Sequence, residues 1–131
     1  MKKLLLLLLL LPSVVHSTEI PRDINGSISR SPLVLSQFQK AFPCPVTNKR
    51  SGACPGFVKD HIRPLCSGGH DSVENLKWSE TGYSKLRDVQ EWKLCNSLKK
   101  QYGTISLDEP KDYLCNIIHK ENLSLIKEIC K

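Results

Sequence analysis

Asp60 and His61 stand side by side in the run Lys59-Asp60-His61-Ile62-Arg63-Pro64-Leu65. A neutral imidazole accepts a proton from water, so His61 is a candidate general base. Asp60 offers hard carboxylate oxygens suited to Mg²⁺ or Mn²⁺. Successive side chains of a strand point to opposite faces, so the two residues would not compete for one partner. Lys59 and Arg63 flank the pair, and Lys77, Lys85 and Arg87 follow it. Clustered in this way, they suit a polyanion: Arg grips phosphate as a fork, and several such contacts make binding fall steeply with salt.

Short elements must position these groups. Ser31-Pro32 supplies a helix cap with proline at the first helical position, and Leu33, Val34, Phe38, Ala41 and Phe42 predict a helix of about ten residues that Pro43 ends. Cys44 to Gly56 is turn chemistry. Phe57 to Ile62 predicts a strand, with Leu65-Cys66 as its return beyond Pro64, and Gly68-Gly69 opens a loop. A long helix is expected from about Ser79 to Gln101, with Leu86, Val89, Trp92, Cys95 and Leu98 stepping by three to form one apolar core face. Gly103 stops it, and helices are expected from Asp108 to about His119 and over Leu123 to Ile129.

The ordered pattern of Asp60-His61, Ile62-x-Pro64-Leu65, Gly68-Gly69 and Asn75-Leu76, followed by a helix, resembles the HNH endonuclease family of ββα-metal nucleases. Phe42-Pro43-Cys44-Pro45 and Gly52-Ala53-Cys54-Pro55-Gly56-Phe57 extend the resemblance toward a secreted bacterial branch, and it covers about Ser31 to Cys95. It implies an α+β fold, a small ββα-metal core with flanking helices, stapled by disulfides. It implies hydrolysis of phosphodiester bonds in DNA, with RNA left open as a second substrate, His61 as base and Asn75 holding the hairpin and so orienting the histidine. Lys59, Arg63, Lys77, Lys85 and Arg87 would hold phosphates, and Trp78 and Tyr83 would stack on bases. No recognition helix or second reading module accompanies the motif, so little sequence specificity is expected. The family's third motif histidine falls at Ser84 here, a neutral and weak ligand. Glu80, Ser84 and Asp88 lie along one helix face, so the expected metal set is Asp60 and Asp88 with water, steadied by Ser84. Such an oxygen-rich site favours Mg²⁺ or Mn²⁺ over Zn²⁺. The competing expectation is a catalytically weakened nucleic-acid-binding or envelope interaction module on the same scaffold.

The frame around this motif is small. Met1-Lys2-Lys3, the apolar run Leu4 to Leu11 and Pro12 ahead of Val15-His16-Ser17 read as a cleaved signal peptide over residues 1–17, with no membrane anchor, so the product is expected to be secreted or periplasmic. About 114 of the 131 residues then remain, enough for one modest core. The chain divides into an N-terminal arm at 18–30, loosely held, a nuclease-like domain at 31–103 and a helical extension at 104–131 packed on the same domain. No obligate protein partner is evident. The formal charge of +6 includes Lys2 and Lys3 of the leader, so about +4 is left, which permits a polyanionic partner without requiring one. Six cysteines in so short a chain mark a disulfide framework. Sequence order favours Cys44 with Cys54 across the turn-rich loop, Cys66 with Cys95, and Cys115 with Cys130 around two short helical stretches.

Overall fold

The computed structural model describes residues 19–24, 27–108 and 110–131. The expected leader lies outside them. Ser31 caps helix α1 (Pro32–Ala41), its hydroxyl accepting from the Val34 N–H, and Phe42 closes the helix on the Phe38 carbonyl. Strand β1 (Phe57–His61) pairs antiparallel with strand β2 (Leu76–Glu80), which runs directly into helix α2 (Thr81–Tyr102). Helix α3 (Lys111–Lys120) and a kinked 3-10 segment (Ser124–Cys130) follow.

The return strand is therefore Leu76–Glu80, and not Leu65-Cys66, which sits in a 3-10 turn (Leu65–Ser67). The excursion between the strands is held closed by Asn75: its side-chain oxygen accepts from the Arg63 N–H at 2.9 Å, and its amide donates to the carbonyls of Arg63 at 2.9 Å and His70 at 2.8 Å. Gly69 makes this closure possible, because a Cβ there would lie 2.2 Å from the Arg63 carbonyl oxygen.

The two faces of the ribbon serve different neighbours. On one, Phe38 of α1 meets Trp78 with ring centroids 5.6 Å apart, and Lys59 lies over the same indole. On the other, Asp60 faces α2 and Lys77 reaches Glu128 of the 3-10 segment. The main apolar core lies beyond the ribbon, where Leu94 and Leu98 of α2 meet Leu114, Ile117 and Ile118 of α3 together with Leu123, Ile126 and Ile129. The C-terminal extension thus supplies most of the core.

The apolar face expected on α2 is corrected. Leu86, Val89 and Trp92 are exposed, and the buried side is Ser84, Arg87, Leu94 and Leu98. A helix turns once in about 3.6 residues, so positions three apart fall back by about 60° at each step, and the series that starts exposed at Leu86 winds round to the buried side only by Leu98. The N-terminal arm, expected to be loose, is tied in: Glu19 bridges to Ser106, and Arg22 bridges to Ile28 around a turn at Asp23.

Three disulfides close the expected pairs, Cys44–Cys54, Cys66–Cys95 and Cys115–Cys130. No helix among the described residues is long and apolar enough to cross a membrane.

Candidate active site

Asp60 and His61 leave the end of β1 toward opposite sides, yet both border one cleft of about 310 Å³ with Ser84, Asp88 and Glu91 of α2. His61 is 7% exposed, and its Nε2 lies 3.0 Å from Oδ1 of Asp71. An ionised carboxylate only accepts, so the neutral ring carries its hydrogen on Nε2 and keeps Nδ1 as an acceptor. The second oxygen of Asp71 accepts from the Ser31 N–H, so one carboxylate fixes both the ring and the start of α1. Asp71 was not singled out from sequence; an acid in a Gly-rich loop ten residues from a histidine carries no periodic signal.

Asp60 is held from α2. Its Oδ2 accepts from Arg87 Nη1 at 3.0 Å and from the Ser84 hydroxyl at 3.4 Å. Arg87 is fully buried and also donates to the carbonyls of His61 at 2.9 Å and Ile62 at 2.7 Å. It forms ion pairs with Glu91 at 3.1 Å and Glu128 at 3.2 Å. The expectation that Arg87 grips phosphate is therefore wrong, because its guanidinium is spent inside the fold, clamping the end of β1 to α2.

The remaining basic residues separate. Lys59 borders the cleft. Lys77 is paired with Glu128 and does not border it, and Arg63 donates to the Ser67 carbonyl from Nε at 3.1 Å and Nη2 at 2.7 Å. Lys85 is exposed on α2. Of the five expected phosphate holders, Lys59 alone lines the cleft, joined there by Arg30 from the arm, which the sequence reading passed over. The aromatic pair is also engaged: Trp78 donates to the Phe42 carbonyl at 2.9 Å and Tyr83 to that of Leu125 at 3.2 Å.

Glu91, like Asp71 and Arg30, is a residue the sequence did not mark. Burial pushes its carboxyl from the usual 4.5 up to about 7, Arg87 opposing the rise while Asp60 and Asp88 add to it. Its Oε1 is buried and, although close to Arg87, makes no aligned hydrogen bond. No three His, Cys, Asp or Glu side chains converge as a ligand group among the described residues.

No protein-family model, curated protein or solved structure matches the chain.

Proposed function

We propose that the protein is an exported, HNH-type endonuclease that hydrolyses phosphodiester bonds of DNA with little sequence specificity. The observation that carries this reading is the pairing of His61 with Asp71 at the rim of a cleft that also holds Asp60 and Asp88. His61 Nδ1 takes the proton of an attacking water, and Asp71 keeps the ring in the matching tautomer and offsets the charge of the imidazolium. Asn75 acts through the hairpin, fixing the turn that follows His61. Lys59 and Arg30 draw phosphate oxygens to the cleft.

The donors fit a hard divalent cation more than a closed four-ligand zinc cage, since Mg²⁺ and Mn²⁺ are commonly held by one or two carboxylates, with water and phosphate oxygens completing the shell. Asp60 and Asp88 would hold Mg²⁺ or Mn²⁺, Ser84 steadying Asp60, and Glu91, whose Oε1 is ion-paired with Arg87, lines the same cleft. The cation would supply positive charge against the phosphate as negative charge builds on it.

Supercoiled plasmid incubated with the protein in Mg²⁺ or Mn²⁺ tests the reading. Nicking that stops on adding chelator is the expected result, and an intact plasmid under both metals would overturn it. The engagement of Asp60 Oδ2 by Arg87 favours one second reading, a binding module that has lost metal-dependent cleavage. Calorimetric titration with Mn²⁺ separates the two, because only the nuclease reading requires heat that disappears in Asp60→Asn.

A further inference from the structure

Helix α2 buries one side and leaves the opposite one bare. Trp92 is 68% exposed, Leu86 63% and Val89 56%. At 3.6 residues per turn these three share an arc with Lys85, Lys93, Asn96, Lys99 and Lys100, all of them exposed. The acids of the helix lie off this arc: Glu91 is on the buried side, and Asp88, exposed, stands at the arc's edge where it also borders the cleft. The arc therefore combines four ammonium groups with three large apolar side chains and contains no carboxylate.

We propose that this face of α2 docks the protein on an anionic phospholipid bilayer. A headgroup layer satisfies both halves of the arc at once: phosphates meet the lysines, while the indole and the two aliphatic side chains reach the acyl boundary roughly 5–10 Å below. Trp is suited to that depth because its ring is apolar and its N–H is polar. A nucleic acid would satisfy the lysines but offers little to Leu86 and Val89. A second copy of the chain would bring four like charges against four. The helix lies on the bilayer and does not enter it, since lysines recur along its length. The proposal is independent of the reading of the cleft.

The Trp78→Phe variant leaves Trp92 as the single tryptophan of the two in the chain. Vesicles of phosphatidylglycerol and phosphatidylcholine in equal parts should carry this protein down on sedimentation and shift Trp92 emission to the blue, with at least tenfold weaker partitioning to pure phosphatidylcholine. Lys93→Gln and Lys100→Gln should each weaken binding about fivefold, and Leu86→Ser with Val89→Ser should abolish the emission shift while leaving circular dichroism unchanged. His61→Ala should sediment as the parent does. Equal binding to both vesicle types or to neither, a Trp92 response to a single-stranded oligonucleotide with none to lipid, or a lipid-free dimer sealed through this face would overturn the proposal.

Discussion

His61 and Asp60 are chain neighbours whose side chains are held by different partners, and substitutions separate their roles. Asp71→Asn removes the carboxylate that sets the His61 tautomer while keeping an acceptor for the Ser31 N–H. The proposed reading expects kcat for plasmid cleavage to fall about 10–100-fold, the usual effect of losing a partner behind a reacting group, with the thermal midpoint changed little. Glu91 gives a prediction in pH. Its carboxyl titrates near 7 in the fold, above its ordinary 4.5, so between these values the folded chain holds a proton that the unfolded chain has released. The contribution of Glu91 to stability is therefore fullest below about 4.5 and is lost as pH rises through 7. The difference in unfolding free energy between wild type and Glu91→Gln, measured with denaturant in metal-free buffer, should show this loss, on the order of 1 kcal/mol. A difference that rises in favour of the wild type across the window would contradict the assignment.

Among the elements, α2 does most of the positioning, and it does so through a residue expected to hold phosphate. Arg87 joins Asp60, Glu91 and Glu128 and caps two carbonyls at the end of β1. Removing one partner of a buried ion network strands the others, so Arg87→Met is expected to lower unfolding free energy by about 3–5 kcal/mol, measured by urea denaturation. A loss below about 1 kcal/mol would mean the network is solvated. The same element shows what sequence could and could not reveal. The ends of α1 were legible in Ser31-Pro32 and Pro43, and β1 in its β-branched and aromatic run, because caps and propensities are local. β2 was not, because Leu76–Glu80 directly abuts α2, and only its pairing with Phe57–His61 separates strand from helix. Nor was the burial of Arg87, because an arginine inside reads like one outside until its carboxylate partners, from β1 and the C-terminal segment, are brought to it.

Across the whole molecule, the ribbon that bears His61 and the core that stabilises the chain are separate, and the disulfides help to join them. Cys66–Cys95 links the turn after His61 to α2 over a separation of 29 residues, whereas Cys44–Cys54 closes 10. Loop-closure entropy makes the first worth about 4 kcal/mol and the second about 3 kcal/mol. Paired Cys→Ala substitutions followed by calorimetry should reproduce that order, and loss of Cys66–Cys95 should also lower cleavage, because it frees the turn from the helix that holds Asp60. All three pairings were legible because each joins successive cysteines in the chain. The identity of the core was less so, since the extension after Gly103 proved to supply most of it. The central claim is that His61 takes the proton of a water attacking a phosphodiester. It is tested most directly by comparing wild type with His61→Ala on supercoiled plasmid in Mn²⁺. The account predicts nicking by the wild type that falls at least about 100-fold in the variant, with an unchanged fold by circular dichroism; equal cleavage by the two proteins would contradict it.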